Sequence, residues 1–184
     1  MHEGAGKIVK SQSKREPTWR TKMPSDNDPP IEDEWTWLRT ERLHRAAATG
    51  DLLEIERLLQ EGCNIDAFDE DLPRTPLHYA AIENQADAVQ LLIRAGANVN
   101  ANDPERIGDT PLGAVAGTCS FEIAKLLVDG GADPTIPGWM QLTALDRSEG
   151  RKDPEGLRVH NLLYDTARRL NPDWVRLAKF ARQV

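Results

Sequence analysis

Arg74-Thr75-Pro76-Leu77-His78-Tyr79-Ala80-Ala81, followed by Leu91-Leu92-Ile93-Arg94-Ala95-Gly96-Ala97-Asn98-Val99-Asn100, is a pattern that this chain repeats at a near-fixed interval. A second copy is Asp109-Thr110-Pro111-Leu112, then Ile123 to Leu127 and Gly130-Gly131-Ala132-Asp133. A looser one runs from Leu43-His44 to Leu58-Leu59, then Gly62-Cys63-Asn64-Ile65-Asp66. A last fragment is Leu142-Thr143-Ala144-Leu145-Asp146, with Leu162-Leu163 behind it. The leading leucines 43, 77, 112 and 145 are spaced 34, 35 and 33 apart. A period of this kind decides the architecture before any single residue is read.

Each copy reads as two short helices and a turn. Pro76 suits the first position of a helix, where its missing N–H has no helical partner anyway. Thr75 before it is a helix cap, and Leu77, Ala80 and Ala81 are small enough to let neighbouring helices approach. Asp87 opens the second helix, in which Val89, Leu91, Leu92 and Ile93 are expected to form the buried stripe. Gly96, with Gly62 and Gly131 at the same place in their copies, ends the helix in the left-handed conformation that suits glycine. One such unit cannot bury its own leucines, so the copies must stack.

The Thr-Pro-Leu-His run, in phase with a paired-leucine helix and a Gly-Ala-Asn/Asp ending, resembles the ankyrin repeat. The resemblance covers residues 41–170. It implies an all-α solenoid of about four stacked helix-turn-helix repeats with β-hairpin-like finger loops. The expected layout is a disordered tail over 1–33, a repeat domain over 34–170 and a capping helix over 171–184. The repeats fall near 39–68, 69–103, 104–137 and 138–170, the first and last acting as caps. The third copy departs from the pattern with Gly113 in place of histidine. The fourth has Ala144 for proline, Asp146 for histidine and an interruption at Arg151-Lys152-Asp153-Pro154.

At 184 residues with a net charge of −7, the chain fits one domain plus tails. No apolar run approaches the ~18–20 residues needed to span a bilayer, and the N-terminus lacks a secretion-type apolar core. Cys63 and Cys119 lie in different repeats and form neither a disulfide framework nor a metal-site spacing, so a cytoplasmic setting is the simplest reading. Residues 1–33 hold six basic and six acidic side chains, leaving the repeat body to carry the whole negative charge, which repels nucleic acid. The tail itself is polarised, with Lys7 to Lys22 basic and Asp26 to Glu34 acidic. Trp35 and Trp37 are expected to fold over the first repeat. Trp174, Leu177, Ala178 and Ala181 share one helical face and are expected to cover the last.

Catalysis needs converging groups, and the sequence offers no G-x-S-x-G, no phosphate-cradling glycine loop, no H-E-x-x-H and no C-x-x-C. His44 and His78 sit at equivalent places, which suggests a metal pair. The resemblance instead implies that this histidine bonds the backbone and the threonine of the turn. His160 reads as a surface residue. No enzyme, no cofactor, no metal and no small-molecule substrate are expected.

The resemblance places the finger tips and the concave first helices as the binding surface. Three residues before each threonine stand Leu72, Ile107 and Met140, with Trp139 beside the last. This column either meets a partner or packs on the neighbouring hairpin. Asp66, Asp69, Glu70 and Asp71 against Arg74, and Asp103, Glu105 and Asp109 against Arg106, either attract a basic protein surface or serve solubility and capping. Ile82, Glu83, Gly117 and Thr118 occupy the outward places on the first helices. Asp71, Leu72, Arg74, Ile82, Glu83, Arg106, Ile107, Asp109, Thr118, Trp139 and Met140 are therefore the candidate partner-binding residues. The expected function is a non-catalytic, monomeric protein-binding module. For a small stand-alone protein of this type, an inhibitor or immunity role that neutralises a basic toxin or effector fits. The alternative is contact with nucleic acid or an anionic membrane through the basic N-terminal arm, with the repeats as a spacer.

Overall fold

The computed structural model describes residues 32–103 and 108–172, with side chains from residue 38. The N-terminal arm, Glu105, Arg106 and Ile107, the side chains of Trp35 and Trp37, and all but the first two residues of the expected capping helix 171–184 lie outside the described residues.

Among the described residues eight α-helices follow in order: α1 Glu32–Thr49, α2 Leu52–Gln60, α3 Pro76–Ile82, α4 Ala86–Arg94, α5 Pro111–Val115, α6 Phe121–Asp129, α7 Ala144–Glu149 and α8 Pro154–Leu170. They form four pairs, an inner helix followed by an outer one. Inner helices α3, α5 and α7 pack in sequence, as do outer helices α2, α4, α6 and α8. The helices of a pair also pack on each other, so the core lies both within the pairs and between successive ones. Leu43, Leu77 and Leu112 from the inner row, with Leu58, Leu92 and Leu127 from the outer row, have no exposed surface.

Local chemistry sets the ends of these helices. Pro76 and Pro111 stand at first helical positions behind Thr75 and Thr110, and the Thr110 hydroxyl accepts the Gly113 N–H at 3.0 Å. In the fourth pair Asp146 does the histidine's work. Its Oδ2 accepts from the Thr143 N–H at 3.0 Å and from the Thr143 hydroxyl at 2.6 Å. The Arg151–Pro154 stretch is no interruption of the repeat. It is the turn between α7 and α8, where Asp153 caps α8 through the Gly156 N–H and Arg151 donates to the Cys119 carbonyl at 2.7 Å. Gly62, Gly96 and Gly131 have φ of 84°, 95° and 98°, the left-handed endings expected of them.

Two expectations need correction, for Leu91 with Ile93 and for His160. Leu91 and Ile93 are half-buried, because α4 turns Ala88, Val89 and Leu92 inward and leaves these two at the seam with its neighbours. The finger loops are hairpin-like without a strand among the described residues. Single bonds, Asp69 N–H to Arg74 O and Gly138 N–H to Leu142 O, each 2.9 Å, close two of them. Pro73, Pro134 and Pro137 supply no N–H from which a ladder could grow. His160 is half-buried against α7, with Nδ1 3.0 Å from the Ser148 hydroxyl.

Polar links run across the stack beside the apolar core. Asp66 Oδ1 accepts the Asn98 N–H, and Asn100 Oδ1 accepts the Asp133 N–H, each at 2.8 Å. These positions recur as Asn64/Asp66, Asn98/Asn100 and Asp133/Thr135, forming a ladder in which each repeat ending holds the next. His78 is a second link. Its Nδ1 accepts from the Thr75 N–H at 3.0 Å, and its Nε2 donates to the Asp109 carbonyl in the following repeat at 2.8 Å. Burial drives its pKa down to about 4, against the opposing pull of that carbonyl.

Leu92→Ala or Leu127→Ala is expected to cost ~2–5 kcal/mol in a urea unfolding measurement, as deletion of a fully buried leucine does. His78 makes stability depend on pH. Its folded-state pKa lies below the unfolded value, so its contribution is complete above about pH 6.5 and is lost as the pH falls toward 4. Lowering the pH from about 7 to about 5 should remove about 2 kcal/mol more from the wild type than from His78→Gln, read from paired urea melts.

Candidate functional site

Among the described residues the finger loops carry four exposed apolar side chains, Leu72, Trp139, Met140 and Leu142, beside charged residues. The repeat domain over residues 34–170 holds 23 acidic and 14 basic side chains, a net −9. Much of that acid is committed to structure. Asp69 accepts the Tyr79 hydroxyl at 2.7 Å and the N–H groups of Asp71 and Leu72 at 2.8 and 3.2 Å. Burial pushes the Asp69 carboxyl up, and these hydrogen bonds outweigh it, so the net shift is downward. The same burial and the Asp69 contact push the Tyr79 hydroxyl up to about 12. Tyr79 is further enclosed by the His44 ring, edge-on at 5.4 Å, and by the Arg74 guanidinium, 5.9 Å from its centroid. Arg74 is accordingly half-buried, whereas Glu70 and Asp71 stand exposed at the finger tip.

The fourth finger, residues 133–143, is the most exposed apolar element of this face. Trp139 is 57% exposed, Met140 66% and Leu142 40%. Trp139 to Gln141 form one 3-10 turn in which Met140 and Gln141 have φ of 59° and 60°. Left-handed conformations at two successive non-glycine residues cost about 1–3 kcal/mol each, and something must hold them there. Asp109 and Arg147 do so. Asp109 Oδ1 accepts the Trp139 N–H at 2.9 Å and an Arg147 Nη2 hydrogen at 2.8 Å, and Arg147 Nη2 also reaches the Trp139 carbonyl at 3.4 Å. Gly138 makes room for this, since a Cβ at that position would run into the Asp109 carboxylate. Arg147 Nε lies buried with no hydrogen-bond partner, so the guanidinium is committed to the finger at the expense of one donor.

The structure sorts the candidate residues accordingly. Asp71, Leu72, Glu83, Thr118, Trp139 and Met140 are exposed, with Leu72 at 41%. Leu72 thus keeps about two-fifths of its surface in solvent and Met140 about two-thirds. Arg106 and Ile107 lie outside the described residues. Two placements differ from expectation. Ile82 packs partly against the core at the end of α3, and Asp109 is drawn into the clamp on the fourth finger. Arg147, Tyr79 and Leu142 escaped sequence reasoning. Arg147 and Tyr79 share one register, four residues after Thr143 and Thr75, which was the signal available.

The same face provides little for catalysis. Among the described residues no group of three or more His, Cys, Asp or Glu side chains could hold a metal ion. Ser148 and His160 stand 3.0 Å apart, as a nucleophile and a base would. However, the Ser148 hydroxyl is fully buried and donates to the Leu145 carbonyl at 2.8 Å, so its oxygen can only accept from His160. A recess of about 640 Å³ between α2 and α4 is lined by Leu52, Leu59 and Leu91 with Glu56, Asp87 and Arg94, and no His, Cys or Ser lines it. No helix among the described residues is long and apolar enough to cross a membrane.

A family model described as ankyrin repeats in three copies matches residues 43–138. The chain is 34% identical to the B-cell lymphoma 3 protein homolog of Mus musculus over 116 residues, 63% of this chain and 25% of that protein. It is 36% identical to ankyrin repeat and SOCS box protein 5 of Oryctolagus cuniculus over 92 residues, 49% of this chain and 26% of that protein. It is also 38% identical to the 26S proteasome non-ATPase regulatory subunit 10 of Dictyostelium discoideum over 86 residues, 46% of this chain and 36% of that protein. The chain thus spans about a quarter to a third of the length of these relatives. Three matched copies over just more than half of the chain, with a fourth helix pair stacked on them, place it in the ankyrin-repeat family, whose repeats generally serve as protein–protein interaction modules.

Proposed function

We propose that this chain is a non-catalytic binding module that takes a partner protein on its finger and inner-helix face. The observation that carries the reading is the exposed Trp139–Met140 pair beside an acidic row of fingers. An aromatic and a thioether held in water are unfavourable unless something covers them, and tryptophan is the side chain most enriched at binding hot spots. The acidity calls for a partner with a basic surface, which the field of this face would attract and orient during encounter. Leu72, Glu70 and Asp71 extend the same surface to the second finger. Neutralising a basic toxin or effector, in the manner of an inhibitor or immunity protein, is the specific role that best suits such a face.

The test is recovery of proteins from the source lysate on immobilised full-length chain, compared with a Trp139→Ala, Leu72→Asp double variant. The expected outcome is a basic protein whose recovery falls about tenfold in the variant, and which elutes readily as salt is raised past the screening range. Equal recovery on both baits removes the proposed surface. Recovery lost only on deletion of residues 1–31 transfers the function to the basic arm instead.

A further inference from the structure

The proposed binding face contains a second-order device in the link between the third and fourth fingers. Between the second and third repeats the link is His78, which donates to the Asp109 carbonyl at 2.8 Å. The next repeat has Gly113 in the histidine position, so that link cannot recur. Its place is taken by the Asp109 carboxylate, which accepts from both the Trp139 N–H and Arg147 Nη2. This substitute grips the fourth finger at Trp139 itself, where a histidine would reach one carbonyl only. The Asp109 and Arg147 side chains are 20% and 23% exposed, which shields the pair from solvent screening. What the grip maintains is an otherwise unfavourable turn, with Met140 and Gln141 left-handed and the Trp139 and Met140 side chains more than half exposed. Gly138 is buried and presses its missing side-chain position against the Asp109 carboxylate, so the geometry tolerates no Cβ there.

We propose that the Asp109–Arg147 pair is a positioning device that holds Trp139 and Met140 as a preformed apolar knob, shaped to enter an apolar recess with a Lys/Arg rim on a partner protein. The inference rests on the finger-face reading above and adds the mechanism that makes the face ready before the partner arrives. Holding the turn in advance removes the ordering cost from the binding step. A finger released from the clamp populates the competent shape only part of the time, and apparent affinity falls by that fraction. Loss of the clamp should therefore slow association, whereas loss of the knob itself should speed dissociation. A residue with a merely structural role would not separate the two rates in this way. The basic rim is supported by the net −9 of residues 34–170, with Asp71 exposed on the second finger, and the apolar recess by Trp139, Met140 and Leu142, 57%, 66% and 40% exposed along one finger.

The probe is a peptide selected from a random-peptide display library on the immobilised full-length chain, with rates read by biolayer interferometry. Selected peptides should combine aromatic or aliphatic residues with Lys or Arg. Arg147→Met and Gly138→Ala should each lower the association rate about tenfold, equivalent to 1.4 kcal/mol, with dissociation nearly unchanged. Trp139→Ala should act mainly on dissociation. Amide hydrogen exchange needs no ligand, and both clamp variants should lose protection at the Trp139 N–H while the Leu92 and Leu127 amides keep theirs. Asp109→Asn retains the oxygen acceptor and should fall between wild type and Arg147→Met. If peptide binding is weakened by Trp139→Ala but both clamp variants match wild type in association rate and Trp139 exchange, the positioning role is overturned and the binding face stands. If Trp139→Ala leaves the rates unchanged, the face itself is wrong and the knob falls with it.

Discussion

Burial of leucines between neighbouring helix pairs is the constraint on which everything else in this protein depends. Leu77 and Leu92 lie in one repeat and Leu112 and Leu127 in the next, and none has any exposed surface. A single pair of helices seven and nine residues long, such as α3 and α4, could not enclose such side chains by itself. A share of the apolar term therefore belongs to the seams, and each seam needs both neighbours in place. The polar links follow the same logic. Asp66 to Asn98, Asn100 to Asp133 and His78 to Asp109 all cross from one repeat to the next, so the hydrogen bonds reinforce the direction in which the core already closes.

This arrangement frees the finger loops from any duty in the core and explains why they differ so much. The second finger spends Asp69 on its own backbone and on Tyr79, and leaves Asp71 and Leu72 exposed at its tip. The fourth spends Asp109 and Arg147 on a strained turn and leaves Trp139 and Met140 outside. The repeat unit is thus a constant scaffold with variable ends, and the chemistry available for recognition is whatever survives after each loop has satisfied its own donors. Acidity read from composition overstates what a partner would meet, because Asp66, Asp69 and Asp109 are partly used up within the fold.

The helix pairs, their caps and the left-handed glycines were legible because each rests on residues within a few positions of one another and recurs in phase. Thr75-Pro76 and Gly96 announce a start and an end by local stereochemistry alone. The substitution of Asp146 for histidine looked like decay, yet an aspartate at the third helical position can accept the same threonine donors, as its 2.6 and 3.0 Å contacts demonstrate. The ladder of Asn98, Asn100 and Asp133 was present as a recurring offset but has no meaning until the repeats are stacked. The clamp was out of reach. Asp109 and Arg147 are 38 residues apart, and nothing in the types of Met140 and Gln141 foretells a left-handed backbone. Ile82 was misplaced for a related reason, since its outward register on α3 ignores the cover that the neighbouring elements provide.

Asp109 is divided between two neighbours. Its carbonyl receives His78 from the repeat before it, while its carboxylate receives Trp139 and Arg147 from the repeat after it. The two halves of one residue are joined by covalent bonds, so a displacement of the fourth loop acts on helix α3, which carries His78, through a single Cα hub. Evolution could retune the first linkage without touching the side chain, and the second without touching the main chain. Such a junction couples the exposed rim at Trp139 to the buried imidazole of His78.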